Sequence, residues 1–598
     1  MNNPQPLDLA LVGNCRVAAL IDPQARIVWW CFPRFDGDPI FCRLLSGNEE
    51  KGFSDVVLHD QVSSRSSYER NTAVLETILE DKNGGAVRIV DFMPRFGRYE
   101  RVFRPPQLVR RIEPIAGLPR IAIRVRPTFG YGGKPTQVVV GSNHIRYLGG
   151  ADVLRLTTDA PLSYIAEETK FALTRPVSLV FGSDEPFLSD LDSTARDFET
   201  RTRGYWHDWT RSLGVPFEWQ SETIRSAITL KLCSFEETGA IIAAHTTSIP
   251  EAPGTSRNWD YRFCWLRDAF FVVGALNRLG ATQTMESYIG YLTSVVADPN
   301  GAIAPLHSIV PGNSLEENEA SLLEGFMCQG PVRVGNAAAE QAQHDVYGSV
   351  VLAAKQMFVD HRLPRMGDEA LFRRLEPLGE HAAEFALVED AGIWEYRGRT
   401  RVHTYSAALC WAACDRLGHI AARLGLKDRA DYWRNRAAPI RRAILERGWN
   451  EKRGAIVGAF GYDDLDASVL MIAELGLLPP SDPRFVKTVE AIGRDLRRNG
   501  RVMRYTAADD FGEPETAFIV CNFWYADALA AIGRREEARE IFQDILSSAN
   551  RYGLLSEDLH PASGQLWGNI PQTYSMAGVI NTAMRLSDTW ENAWWRAW

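Results

Sequence analysis

The sequence predicts two parts of different class. An antiparallel β-sandwich occupies residues 1–190, a linker helix covers 191–214, and an all-helical domain of stacked helix pairs takes 215–598. Three observations predict this division. The hydrophobic period is about two up to residue 190 and becomes helical from about Ser221. Turn residues recur at short spacing in the first part, as in sandwiches. In the second part long loops recur between helices, which suggests pairs arranged in a ring with function gathered at one end. With 598 residues, the chain exceeds what one ordinary core holds.

In chain order, Asn83-Gly84 separates Thr77–Glu80 from Ala86–Val90, a hairpin signal. Arg120–Arg126 alternates, with Ile121, Ile123 and Val125 on one face. Further strands are expected at Val138–Val140, His144–Tyr147, Val153–Thr157 and Val177–Phe181. Gly130–Thr136 has only a faint likeness to a phosphate loop, because Thr128 stands at the first glycine position and Pro135 follows the lysine. Leu191–Leu213 is polar and aromatic, with Tyr205, Trp206 and Trp209 suited to packing between two domains.

Beyond it, helical periodicity is expected near 222–236, 266–280, 282–297, 336–359, 368–387, 403–424, 427–445, 465–475, 484–496, 516–532, 535–546 and 572–586. No repeat is strict enough for a solenoid. The loops Asn258–Asp268, Gly330–Asn336, Gly392–Arg401, Arg504–Glu515 and Gly553–Gln572 are dense in charge and aromatics.

Composition excludes several classes. A net charge of −9 without a Lys/Arg block excludes a phosphate-backbone footprint, so no nucleic acid is expected. No apolar run approaches membrane-spanning length, so no membrane partner is expected. The start, Met1 to Asp8, has neither a basic nor an apolar leader region, and several of the nine cysteines lie in apolar segments. The expectation is a cytoplasmic protein with reduced thiols. With no His-x-x-x-His pair and no Cys-x-x-Cys motif, neither a metal nor another cofactor is expected.

The densest stretch is Asn258-Trp-Asp-Tyr-Arg-Phe-Cys-Trp-Leu-Arg-Asp268, where a loop becomes an apolar helix. Aromatic rings suit the flat faces of a sugar, and Arg with carboxylates suits its hydroxyls. The competing reading is a helix start anchored by Trp259 and Trp265, with Asp260 and Arg262 as a surface pair. Two carboxylates stand out elsewhere. Glu395 lies between Trp394 and Tyr396 in a glycine-flanked turn, surroundings that favour a neutral acid. Glu557 follows Gly553-Leu-Leu-Ser, where Ser556 and Asp558 are expected to keep a carboxylate hydrated and ionised. Taken singly, each is more readily a solvated loop residue than a catalytic one, and their distance along the chain does not pair them.

Blocks in order along nearly the whole chain resemble glycoside hydrolase family 15, the group of glucoamylases, bacterial trehalases and related α-glucosidases. They include Ala10–Arg16, Trp29–Asp36, Asp91–Pro94, Thr246–Glu251, Asn258–Asp268, Pro331–Asn336, Gly392–Gly398, Gly553–Glu557 and Gly568–Ser575. The resemblance implies a β-sandwich preceding an (α/α)6 barrel. It implies Glu395 as general acid, Glu557 as general base, and Arg267 with Asp268 holding the non-reducing glucose. Arg504 and Tyr505 resemble a further pocket pair, Trp394 precedes the acid, and Trp259, Asp260 and Arg262 are carried as wall residues. His245, Leu306–Gly312 and Met576 depart from the pattern that the resemblance leads one to expect.

The implied activity is inverting, exo-acting hydrolysis, which releases β-glucose from small α-glucosides such as trehalose, maltose, isomaltose or short maltodextrins. The partner expected is thus a small α-linked glucose oligosaccharide. Inversion needs room for a water between the carboxyls, about 6.5–9.5 Å. A phosphorolytic enzyme, which keeps only the acid, and a non-catalytic glucan-binding protein are the alternatives.

Overall fold

The computed structural model describes residues 5–47, 49–295 and 303–596. Met1 to Pro4, and residues 296 and 297 of the helix expected to run from 282, lie outside the described residues.

The first part is two antiparallel sheets. One runs Ala10–Gly13, Ala18–Ile21, Ile27–Phe32, Phe53–Leu58, Arg120–Arg126 and Phe171–Ala172, with Asp38–Phe41 paired on Ile27–Phe32. The other runs Gln137–Val140, His144–Gly149, Asp152–Thr158, Val177–Gly182, Leu108–Ala116, Ala86–Phe92, Leu75–Asp81 and Gln61–Tyr68. Alternation places Ile121 and Ile123 with Leu156, Leu179 and Phe181 in one core. The opposite face of the second sheet offers Val90, Phe92, Val109 and Val180, which the helix Leu191–Arg211 covers with Ala195 and Phe198. Asp190 caps that helix by accepting from the Ser193 amide at 2.9 Å.

The second part is a closed ring. Leu266–Arg278, Asp345–Val359, Thr404–Arg423, the 3-10 turn Ala467–Ile472, Ile519–Ala531 and Thr573–Leu586 each touch the next, and the last touches the first. Outside them pack Gln220–Leu232, Thr282–Val295, Glu369–Phe385, Lys427–Arg447, Pro483–Asp495 and Arg535–Ser547. The periodic reading finds these elements to within a few residues, apart from two.

Near 465–475 only Ala467–Ile472 is helical, and as a 3-10 turn. Asp466 caps its start through the Ser468 amide at 2.8 Å, and Gly476, with φ +78, turns the chain out of it. The apolar run there satisfies the ring by burial without completing an α-helix. The helix expected from 336 begins as Ala337–Glu340, breaks, and resumes at Asp345.

Every long loop precedes an inner helix, so the loops gather at the N-terminal end of the ring. There the helix dipoles are positive.

Candidate active site

At that end lies a pocket with about 790 Å³ of atom-free space. Its wall is built largely by Asn258–Asp268. Thr247 bridges Asp260, and Cys264–Trp265 pairs with Leu306–His307, so the stretch is extended and its side chains alternate. Trp259, Tyr261 and Trp265 face the pocket. The Tyr261 and Trp265 rings pack edge to face, 5.2 Å between centroids.

Those two rings hold the two glutamates. The Trp265 indole donates to Glu395 Oε1 at 2.6 Å, and the Tyr261 hydroxyl donates to Glu557 Oε1 at 2.6 Å. Arg267 also donates to Glu395 Oε1, at 3.1 Å. Its other nitrogen is fixed by Gln343 Oε1 at 2.7 Å and Asp345 at 3.2 Å. Both donors converge on one oxygen, and Glu395 Oε2 takes no hydrogen bond among the described residues. The Glu395 backbone sits at φ +58, in the left-handed region, within a turn closed by its amide on the Gly392 carbonyl at 3.1 Å. Such a conformation costs about 1–3 kcal/mol in a residue with a side chain and marks a constrained site.

The glutamates differ in depth. The Glu395 side chain is 21% exposed, whereas Glu557 is 1% exposed. The expectation that polar neighbours keep Glu557 hydrated is not met. Burial first, then the Asp558 and Glu251 carboxylates, push its carboxyl well above the usual range, while the Tyr261 hydrogen bond and Arg504 oppose this. Ser556 donates to the Asp558 carbonyl instead of solvating Glu557. Glu557 Oε2 is buried without a partner. Gly568, at φ +73, makes room for it: a β-carbon there would lie 2.8 Å from that oxygen.

Asp268 lies in the first turn of Leu266–Arg278, 3.9 Å from the Arg267 Nε. Burial pushes its carboxyl up to about 7, Arg267 opposes, and Glu395 and Asp345 add to the rise. A hydrogen bond from its own backbone amide also opposes the rise.

Arg504 reaches Glu251 at 2.6 Å, and Glu251 also accepts from the Trp259 indole at 2.9 Å. Arg397 lies 4.2 Å over the Trp259 ring. The Trp394 ring lines the pocket while its indole donates to Asp466 at 2.8 Å. Tyr505 stands behind this wall, buried, and donates to Asp509, which also pairs with Arg257.

Asp260 and Arg262 are a correction to the expected wall. Both are fully buried on the face of the stretch opposite the pocket, as an ion pair of 2.6 Å. Arg262 points into the sandwich, where it donates to the Gly37 carbonyl at 2.8 Å and to the Tyr131 hydroxyl at 2.9 Å. They are also not the surface pair of the competing reading. Tyr261, Glu251, Gln343, Asp345 and Tyr574 are the site residues that reading the sequence misses. The alternation Trp259-x-Tyr261-x-Phe263-x-Trp265 was a signal for the first, since it puts the aromatics on one side and Asp260 with Arg262 on the other.

Six carboxylates line the pocket against four guanidiniums, a balance that suits developing positive charge. Among the described residues, no group of three or more His, Cys, Asp or Glu is placed to hold a metal ion, and no helix is long and apolar enough to cross a membrane.

Residues 220–584 match the profile of Glycosyl hydrolases family 15, and residues 2–189 match that of a trehalase-like N-terminal domain. The chain belongs to glycosyl hydrolases family 15. It is a glycoside hydrolase. Similar family members include a trehalase of Thermoplasma volcanium, 30% identical over 96% of this chain and 93% of that one. A trehalase of Mycobacterium tuberculosis is 30% identical over 99% and 91%. A crystal structure of a bacterial glucoamylase complexed with acarbose shares the fold, with TM-score 0.70 and 14% identity over 98% of this chain and 96% of that one. The family 15 architecture of this chain is therefore the antiparallel sandwich followed by an (α/α)6 barrel.

Two of the departures are buried residues of the support around the pocket. Met576 is buried, and its sulfur accepts from the Leu555 amide at 3.4 Å, supporting the loop that carries Glu557. His245 packs on Phe35, and burial holds its imidazole down to about 3.

Proposed function

We propose that this family 15 enzyme is an inverting, exo-acting α-glucosidase of small substrates, with trehalose as the preferred one. The observation that carries the reading is the pair of glutamates in one pocket, each held through a single oxygen by adjacent aromatic donors, Tyr261 and Trp265. Trehalase is the activity named for the full-length relatives, and the chain spans nearly all of their length.

The terminal glucose binds with its hydroxyls at Asp268 and Arg267 and its ring against Trp394. Glu395, nearer the opening, protonates the glycosidic oxygen through Oε2. Glu557 takes a proton from water on the opposite face of the anomeric carbon, using its unpartnered Oε2. Burial makes Glu557 a stronger base than a solvated carboxylate. The positive charge that grows at the anomeric carbon favours its ionised form as the barrier is crossed. The second sugar lies toward Trp259, Arg397 and Arg504.

Trehalose gives a sharp stereochemical test, because both anomeric carbons are α. Inversion at one centre releases one β-glucose, and the leaving sugar departs as α-glucose. Proton NMR of the first turnovers is expected to show the two anomers in equal amounts. Only α-glucose at the outset would mean retention through a covalent intermediate, and would remove Glu557 from the role of base.

A further inference from the structure

The ring holds a second cavity, at the end opposite the glutamates, with about 1160 Å³ of atom-free space. Its wall comes from the middle and C-terminal ends of inner helices: Phe271, Gly274, Gln356, Trp524 and Asn581. Tyr574 lines both this cavity and the catalytic pocket. We propose that this cavity is a second saccharide site, for a neutral sugar of about one hexose, coupled to the catalytic pocket through Tyr574.

Three features define the ligand. Phe271 is half-buried, and with Trp524, on which it packs at 6.0 Å between centroids, it presents an aromatic wall to the cavity. Gln356 Oε1 is buried without a partner, and the Asn581 amide makes no hydrogen bond among the described residues. Two unpaired carboxamides beside aromatic rings answer a molecule with hydroxyls and a flat apolar face. The charges at the mouth already satisfy each other: Arg278 pairs with Glu474 at 3.5 Å, and Arg585 pairs with Glu474 and with Asp527 at 3.4 Å. No charge is left over for an ionic ligand. Much of this space is solvent at the open mouth, and the enclosed part suits about one hexose.

Tyr574 supplies the coupling. Its ring packs on Phe271 and Trp524, at 5.1 and 6.1 Å between centroids. Its hydroxyl is buried, unpartnered, and in the field of Asp268 and Arg267. A sugar that presses the Phe271 and Trp524 rings shifts Tyr574 against the pair that holds the reacting glucose. The coupling, though not the binding, rests on the reading of the front pocket as the place of hydrolysis.

Gly274 provides the test, because it lines the cavity and a β-carbon there meets nothing within 4 Å, so the position opens on free space that a larger side chain would take up. Saturation-transfer NMR with D-glucose is run on the full chain while acarbose fills the front pocket. Wild type is expected to retain glucose binding, and Gly274→Phe and Asn581→Leu to weaken it at least tenfold. Glucose inhibition of trehalose hydrolysis should be mixed in wild type and purely competitive in Gly274→Phe. No glucose binding to the acarbose-filled wild type, or equal binding by wild type and both variants, overturns the site. Purely competitive inhibition of wild type overturns the coupling. If acarbose does not occupy the front pocket, glucose binds at both sites and the inhibition patterns decide alone: the same pattern in wild type and Gly274→Phe overturns the proposal.

Discussion

Tyr261 shows how much of this site depends on single hydrogen bonds. Among the described residues it is the one donor to the Glu557 side chain, whose other oxygen is buried without a partner. A hydrogen bond to a charged group contributes about 1.5–3 kcal/mol, so Tyr261→Phe is expected to lower kcat by roughly 10- to 100-fold. The fold should be retained, because the ring keeps its packing on Trp265. Unchanged kcat on trehalose would place the base elsewhere. Asp268 makes a second prediction, through pH. Its folded carboxyl titrates at about 7 against 3.8 for the ordinary group, with burial the main cause. A raised acid binds its proton more tightly in the folded state. The empty enzyme therefore carries no cost from Asp268 below about pH 4, and loses stability as pH rises to about 7. Asp268→Asn is expected to match wild type in Tm near pH 4 and to exceed it increasingly up to pH 8, while turnover falls. A pH-independent Tm difference would contradict the burial of a charge there.

At the scale of elements, the stretch Asn258–Asp268 serves two masters because it is extended. Trp259, Tyr261 and Trp265 line the pocket, while Arg262, held by Asp260, locks the stretch to the sandwich. Removing one partner of a buried ion pair costs about 3–5 kcal/mol, since the other charge is left without compensation. Arg262→Ala is expected to destabilise the protein by about that amount in urea unfolding, and to lower activity by loosening Tyr261 and Trp265. A change under about 1 kcal/mol, typical of a surface pair, would return Arg262 to an exposed role. The helices behave differently from this stretch. Their amphipathic stripes are legible from the chain, as in Arg535–Ser547 with Ala538, Ile541, Phe542 and Ile545 buried. The shortened turn Ala467–Ile472 is not, because the apolar residues that suggest a helix over 465–475 are buried all round in a 3-10 turn, and their spacing does not tell the two apart.

For the whole molecule, the sandwich is tied into the barrel at several separate places. Trp29 donates to the His245 carbonyl at 2.8 Å, Arg95 pairs with Glu236 at 2.7 Å, and Asn550 donates to the Leu7 and Leu9 carbonyls at 2.9 Å each. Together with Arg262 these make the sandwich a support of the active-site loops. Residues 215–598 expressed alone are expected to be insoluble or far less stable than the full chain, because apolar and charged groups now paired would meet water. A soluble, fully active product of that expression, assayed on trehalose, would overturn this.

The sequence by itself determined the fold class and most elements, because periods of two and 3.6 are local consequences of backbone geometry. Ile121, Ile123 and Val125 announce their strand, and Asn83-Gly84 its hairpin, without help from distant residues. It also marked Glu395 and Glu557, through the motifs in which they stand. Only the tertiary structure decided what surrounds them. Glu557 was expected among hydrating neighbours and lies instead under Gly568 with one donor, because burial comes from loops far away in the chain. Arg262 and Trp259, three positions apart in one motif, face a β-domain and a sugar pocket respectively. Which side of an extended segment meets which partner is set by packing, and packing is a property of the whole chain.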